Sequence, residues 1–380
     1  MKPQTGPILL AAGGTGGHVF PAEALAAELA ARGHAVAFVT DPRGKGFGGG
    51  IQDVPLYRIP AGTPTGRNFA GKLLAGTDIL RGILAGWRLL KRLKPAAAIG
   101  FGGYPALPLM LAATQLRLPS LIHEQNAVLG RVNRLLAKRV NAIALSFAET
   151  RFLPAGADAT LTGNPVRAAI LQAAAGASYA APLEEINLLV LGGSQGARVL
   201  SDAVPAALVG LPADLRGRLR VTQQCRPEDL ERVRAAYAAG GIAAETASFF
   251  SDVAARMTRA HLLISRAGAS TTSEIAAIGR PSLLVPYAHA TDDHQTANAQ
   301  ALVRAGAAVL VPQAEFTAER VASEIAALLA APAKLAAMAQ AARELSRIDA
   351  AQALADLVEK TMRVRQAAPQ ANSVAMRGLA

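Results

Sequence analysis

The chain has 380 residues, of which 51% are hydrophobic and only 4% aromatic. That length suits two packed cores, and the excess of Ala and Gly over aromatics predicts helices packed closely on sheets, an α/β class, rather than a β-sandwich or a disulfide scaffold. A single cysteine, Cys225, excludes an intramolecular disulfide and a cysteine-based zinc site and fits a reducing compartment, while a net charge of +12 predicts an anionic partner (nucleic acid, lipid or phosphorylated substrate) without choosing among them.

The apolar run Ile8 to Ala12 is too short for a secretion signal and breaks into glycines, so it reads as a buried strand. A helix over Ala22 to Ala31, a turn at Gly33 and a second strand over Ala35 to Thr40 complete β-α-β spacing. Strands are predicted again at Ala97 to Gly100, Leu118 to Ile122 and Ala142 to Ala144, each followed by a turn and helical sequence. The pattern is that of a parallel, doubly wound sheet. It lapses from Gly163-Asn164-Pro165-Val166-Arg167 to Pro182 and restarts with the strand Ile186 to Leu191, continuing through Leu262 to Ser265 and Ser282 to Pro286. The chain is therefore divided into a first domain, 1–165, a second, 166–350, and a C-terminal segment, 351–380, of helix and frayed tail. No uninterrupted apolar run of about 18 residues occurs, so no bilayer span is expected.

Each half opens with a strand, a glycine-rich turn and a helix: Gly13-Gly14-Thr15-Gly16-Gly17-His18 in the first, Gly192-Gly193-Ser194-Gln195-Gly196-Ala197-Arg198 in the second. Free backbone N–H groups and the positive end of a helix dipole meet at such a turn, which suits phosphate. Neither is a P-loop, and Val19 stands where a dinucleotide fingerprint needs its third glycine. A third turn, Gly100-Phe101-Gly102-Gly103-Tyr104-Pro105, also follows a strand end, so the expected substrate is rich in phosphate and hydroxyls.

Polar clusters emerge at other strand ends. His123-Glu124-Gln125-Asn126 follows one strand, and Arg266-Ala267-Gly268-Ala269-Ser270-Thr271-Thr272-Ser273-Glu274 follows another, with Glu274 suited to a vicinal diol. His289 to Asn298 holds two His and two Asp, yet the spacing matches no zinc motif and no Asp-x-Asp occurs, so a sugar-binding helix start is preferred to a metal site. His18 closes the first glycine loop, where a neutral imidazole could take a proton from an attacking hydroxyl. From Arg67 to Lys94, seven basic residues and the lone acid Asp78 interleave with Leu73, Leu80, Ile83, Leu84, Trp87 and Leu90. Those side chains share one helical face, with Arg81, Arg88 and Arg92 on its flank and Lys91 intruding, which predicts docking on an anionic membrane.

Together, Gly13 to Pro21, Gly102-Gly103-Tyr104, His123 to Asn126, Gly163 to Arg167, Gly192 to Ala197 and Arg266 to Ala269, running in order over about residues 8 to 350, resemble the MurG family of bacterial N-acetylglucosaminyltransferases, which convert lipid I to lipid II in peptidoglycan synthesis. The resemblance implies the GT-B architecture: two Rossmann-like, doubly wound parallel-sheet domains with an interdomain cleft, the second holding UDP-N-acetylglucosamine and the first meeting membrane and lipid-linked acceptor. By motif match, Ser194, Gln195 and Arg167 lie near the diphosphate and Phe250 beside uracil, with Arg266 also counted among the substrate-binding residues. Ala269, Ser270, Thr271, Thr272 and Ser273 line a phosphate-binding helix start, and Glu274 takes the ribose. Gln295 and Asn126 hold the donor sugar, with Thr15, Gly16 and Gly17 closing the site. Gly13, Gly14, Gly103, Tyr104 and His123 fall on the acceptor side; Leu80, Arg81, Ile83, Leu84, Trp87 and Arg88 meet the membrane. Two positions depart from the family: where many relatives have paired glutamines His294 stands before Gln295, and Phe250 replaces a smaller aliphatic residue.

The implied reaction is inverting attack of a muramyl C4 hydroxyl on the donor's anomeric carbon, with His18 as base, Glu124 as the alternative, and neither metal nor cofactor. The implied location is the cytoplasmic face of the bacterial inner membrane, with other cell-wall enzymes as partners and no nucleic acid. Rival readings are an NAD-dependent oxidoreductase using Asp41, opposed by the defective glycine spacing, a UDP-N-acetylglucosamine 2-epimerase, and a non-catalytic lipid-binding protein.

Overall fold

A computed structural model of the chain describes residues 6–13, 16–42, 54–63, 69–193 and 196–367. They divide into two compact units, the first within Met1–Gln125, Leu129–Pro165 and Asp349–Ala380, the second within Asn126–Val128 and Val166–Ile348.

The first unit runs β1 (Gly6–Ala11), α1 (Gly16–Ala31), β2 (Val36–Thr40), β3 (Leu56–Arg58), α2 (Phe69–Leu93), β4 (Pro95–Gly100), α3 (Gly103–Gln115), β5 (Ser120–Glu124), α4 (Arg131–Leu136), β6 (Ala142–Leu145) and β7 (Ala159–Leu161). Its strands are ordered β3-β2-β1-β4-β5-β6-β7, all pairs parallel. Alternation along β1 separates two cores. Leu9 and Ala11 join the layer under α2 and α3, whereas Ile8 and Leu10 join the layer under α1. Each fully buried leucine contributes roughly 1.5–3 kcal/mol by leaving water.

The second unit runs α5 (Ala168–Ala175), β8 (Ile186–Leu191), α6 (Arg198–Val209), α7 (Ala213–Arg218), β9 (Leu219–Gln224), α8 (Leu230–Ala239), β10 (Ala243–Ala247), α9 (Val253–Arg259), β11 (Leu262–Ser265), α10 (Ala269–Ile278), β12 (Ser282–Leu284), α11 (His294–Arg304), β13 (Ala308–Leu310), α12 (Ala318–Leu329) and α13 (Pro332–Glu344). Its sheet, β10-β9-β8-β11-β12-β13, is again wholly parallel. In both sheets the winding reverses at a central pair, β1/β4 and β8/β11. A crevice opens beyond the carboxyl ends of such a pair, which is where doubly wound sheets take ligands.

The segment set apart at 351–380 is, over α14 (Ala350–Ala367), a helix of the first unit. Leu354, Ala355, Leu357, Val358 and Met362 enter the same core as α1. Arg32 at the end of α1 pairs with Asp356 at 2.6 Å, and His34 meets Glu359 at 3.0 Å.

The basic stretch folds as α2, and its apolar residues occupy two stripes about 100° apart rather than one. Ile79, Ile83, Leu90 and Leu93 turn inward with the core. Leu73, Leu80, Leu84 and Trp87 form an outward stripe, 66%, 64%, 57% and 37% exposed. Ile83, expected at a membrane, is thus a packing residue, and so is Leu90. Lys91 does not interrupt the outer face: its amine sits 3.6 Å above the Trp87 ring, a cation–π contact. No single described helix is long and apolar enough to cross a membrane.

Candidate functional site

In the first unit the site gathers at the carboxyl ends of β1, β4 and β5. Gly16 and Gly17 open α1 and His18 follows them; Gly14 and Thr15 lie outside the described residues. Gly13 is packed so closely that a Cβ would come within 2.7 Å of Thr40 Oγ1 and 2.8 Å of Pro105. Gly102 and Gly103 have φ of 85° and 71°, a region side chains resist, and a Cβ on either would lie 3.4 or 3.5 Å from the His18 ring. Tyr104 follows in the first turn of α3, half-buried.

A chain of hydrogen bonds runs inward from His18. Its Nδ1 is 3.0 Å from Gln125 Oε1; Gln125 Nε2 is 3.0 Å from His123 Nδ1; and His123 Nε2 is 3.0 Å from the Gly163 carbonyl. His123 is fully buried, its ring tilted against Phe101 at 5.6 Å between centroids. Burial pushes its pKa down to about 4, against the opposing effect of the Gly163 bond. Glu124 has a different occupation. It is 2% exposed, and its Oε2 accepts from Gly130 N at 2.7 Å and Asn133 Nδ2 at 2.8 Å at the start of α4. The arrangement leaves His18 better placed than Glu124 to receive a proton.

In the second unit the ligand end lies beyond β8, β9 and β11. Ser194 and Gln195 fall outside the described residues. Gly196, with φ 69°, closes the turn before α6, and a Cβ there would lie 2.9 Å from Arg226 Cγ. Arg226 follows β9 and was not singled out in the sequence because LRVTQQ alternates too weakly to announce a strand end. Its Nε is buried with no hydrogen-bond partner. Arg266, after β11, donates to the Val285 and Pro286 carbonyls, both at 3.1 Å. Burial lowers its pKa, and the charge of Arg226 adds to the same effect. Two guanidinium groups beside a glycine turn make a place for an anion.

The helix start of α10 completes it. Gly268 supplies no side-chain cap, so the first amides of Ala269, Ser270 and Thr271 point out of the helix unpaired by one. Ser270 Oγ is buried without a partner. The Thr272 and Ser273 hydroxyls donate to the Ala269 carbonyl at 3.0 and 2.8 Å. One turn on, Glu274 is gripped by Arg167: Nε to Oε1 at 2.8 Å and Nη2 to Oε2 at 3.0 Å. Burial raises the Glu274 pKa while Arg167 opposes the rise.

Around this centre, Gln295 Oε1 accepts from Tyr287 N at 2.9 Å, which leaves its amide N–H groups to donate. Asn126 Oδ1 accepts from Asn298 Nδ2 at 3.1 Å, and Asn298, fully buried, also binds Ala127 N and the Ala267 carbonyl. Asn298 is a fixing residue the sequence reading did not reach. His294 is tied to the Thr291 carbonyl at 2.9 Å. Phe250, expected beside uracil, is buried, and Arg256 lies 4.2 Å from its ring centroid. Its neighbour Phe249, not named from the sequence, is 74% exposed. Among the described residues no three His, Cys, Asp or Glu side chains are grouped as metal ligands.

Comparison with known proteins accords with this geometry. The glycosyltransferase family 28 N-terminal domain matches residues 8–145 and its C-terminal domain matches residues 187–358. Two parallel-sheet domains of this kind, each with its strand-end site, define a GT-B glycosyltransferase of that family.

Full-length relatives narrow the class. The UDP-N-acetylglucosamine–N-acetylmuramyl-(pentapeptide) pyrophosphoryl-undecaprenol N-acetylglucosamine transferase of Rhodospirillum centenum is 52% identical over 93% of both chains. Its counterpart from Paramagnetospirillum magneticum is 53% identical over 94% of this chain and 97% of its own. The crystal structure of Acinetobacter baumannii MurG superposes with a TM-score of 0.76 at 34% identity, over 93% of this chain and 99% of that one. The chain belongs to the MurG family of N-acetylglucosaminyltransferases. A protein from Listeria monocytogenes assigned as a UDP-N-acetylglucosamine 2-epimerase shares the fold (TM-score 0.66) at 14% identity.

Proposed function

We propose that the protein transfers N-acetylglucosamine from UDP-N-acetylglucosamine to the C4 hydroxyl of undecaprenyl-pyrophosphoryl-MurNAc-pentapeptide, lipid I, giving lipid II with inversion at the anomeric carbon. The observation that carries this reading is 52% identity over nearly the full length to a transferase of that name. The epimerase reading has only the shared fold behind it, and a purely lipid-binding protein would have no use for two strand-end sites.

The second unit supplies the donor site. Glu274 retains free lone pairs beyond its two bonds to Arg167 and accepts from the ribose hydroxyls. Phe249 offers an open ring face to uracil, with the backbone at Phe250 beside it. Arg226, Arg266 and the amides at the start of α10 meet the diphosphate, and Gln295 and Asn126 orient the sugar. The first unit supplies His18. As the acceptor oxygen bonds to the anomeric carbon, its proton passes to His18, the bond from that carbon to the β-phosphate oxygen breaks, and the electron pair leaves with UDP. Fixed positive charge at the departing diphosphate lowers the barrier without reorganisation, and no metal is assigned to this task.

The outward stripe of α2, with Arg81, Arg88 and Lys91 beside Trp87, docks the protein on an anionic membrane surface where its lipid-linked acceptor resides. On this reading the protein works peripherally at the cytoplasmic face of the inner membrane. Release of UDP from UDP-N-acetylglucosamine with and without a lipid I analogue tests the reading: it requires acceptor-dependent release and a product heavier by one N-acetylhexosamine.

A further inference from the structure

His18 accepts a proton only if one ring nitrogen carries a lone pair toward the reaction, and a neutral histidine in water favours the tautomer with its proton on Nε2. Which nitrogen is protonated in a protein is set by the hydrogen bond the other one makes. We propose that Gln125 and His123 form a tautomer-setting relay, anchored on the Gly163 carbonyl, that holds the proton of His18 on Nδ1 and leaves Nε2 free as the base.

The direction of every bond in the relay follows from its inner end. A backbone carbonyl only accepts, so His123 Nε2, 3.0 Å from the Gly163 oxygen, carries the hydrogen. Ser146 Oγ, 3.4 Å from the same nitrogen, donates its own proton to the Glu124 carbonyl at 2.8 Å and so offers only lone pairs there. His123 is fully buried with no carboxylate on its ring, so it is neutral and its Nδ1 is an acceptor. Gln125 must therefore face it with the amide nitrogen. The second contact of that nitrogen, 3.2 Å to the His123 carbonyl, demands the same orientation. The amide oxygen then faces His18 Nδ1 at 3.0 Å, and an oxygen there requires N–H. Reversing the amide would set its oxygen against two acceptors at once.

The relay also explains residue choice. A carboxylate at position 125 would accept from His18 equally well but could not donate to His123, so the inner end would lose its bond or take up a buried charge. Gln125, 1% exposed, touches no substrate in this scheme and is a positioning residue. A Cβ at Gly102 or Gly103 would reach to 3.4 and 3.5 Å of the His18 ring, so glycine at both positions leaves the ring its space.

The inference rests on His18 acting as base in the proposed transfer, but its first test is independent of turnover. Long-range proton–nitrogen NMR correlation on histidine-labelled full-length protein at neutral pH distinguishes protonated from lone-pair ring nitrogens. The relay predicts His18 protonated at Nδ1 and His123 protonated at Nε2; a His18 signal with its proton on Nε2 would overturn it, whether or not the protein proves to be a transferase. In Gln125→Leu the His18 proton should move to Nε2 in most molecules, with kcat down at least tenfold while UDP affinity stays at the wild-type value. A Gln125→Leu enzyme that keeps the Nδ1 proton, or that keeps wild-type kcat, contradicts the inference.

Discussion

Arg167 holds Glu274 by two nearly parallel hydrogen bonds, 2.8 and 3.0 Å long, across 107 residues of sequence. A fork of this kind fixes a carboxylate in orientation as well as place. Glu274→Gln should weaken UDP-N-acetylglucosamine binding by roughly 10- to 100-fold, the scale of hydrogen bonds to a charged group. Calorimetry with UDP and with its 2′-deoxy analogue separates two routes. If Glu274 binds the ribose, the loss shrinks for the deoxy nucleotide; an equal loss for both would mean that it acts only through Arg167.

Arg226 brings the second charge to the glycine turn, with a buried Nε that has no hydrogen-bond partner. Arg226→Met should lower UDP affinity about tenfold and leave uridine affinity unchanged, since only the former carries the phosphates. A variant that loses both equally would show that Arg226 shapes the loop and does not contact the diphosphate.

His123 makes stability depend on pH. Its folded pKa, near 4, lies below the unfolded value of 6.5, so between those values the unfolded chain binds a proton that the folded one refuses. Stability contributed by this group is therefore complete above pH 6.5 and falls as the pH drops through that window, by roughly 3 kcal/mol at its lower end. Urea unfolding of wild type and His123→Gln at pH 7 and pH 5 measures it. The variant should lose less stability on acidification than the wild type; equal losses would remove His123 as the cause.

The exposed stripe of α2 predicts membrane affinity of a particular kind. Leu80→Glu with Leu84→Glu should abolish sedimentation with vesicles containing anionic lipid, because buried apolar area supplies the anchorage. Arg81→Gln with Arg88→Gln should weaken it by about 1 kcal/mol per charge and remove much of its salt sensitivity. Ile83→Glu should instead destabilise the fold, since that side chain packs inward. Unchanged vesicle binding in the leucine variant would remove α2 as the docking element.

Legibility in the sequence followed burial. The central strands β1, β4, β8 and β11 are short apolar runs beside glycine turns, and those pairs set both switch points. The edge strands β3, β7, β10 and β13 went unread: three to five residues long, partly exposed and free of strict alternation, they carry little periodic signal. The amphipathic reading of α2 found the helix but merged its two stripes, because a sequence does not say which face already has a partner. In the site, residue types chosen for local reasons, His18 after a glycine turn and Glu274 inside a helix start, could be named. Their partners could not. Gln125 and Arg167 each lie 107 residues away, joined only by the return of the chain to the same sheet edge.

The chain moves N-acetylglucosamine from UDP to a lipid-linked muramyl acceptor. Mass spectrometry of a reaction containing the purified protein, UDP-N-acetylglucosamine and a lipid I analogue tests it most directly. The expected result is one added N-acetylhexosamine per acceptor, β-linked at C4, with UDP released in equal amount and none without acceptor. UDP release that ignores the acceptor, or conversion of the donor to an epimeric sugar, would contradict it.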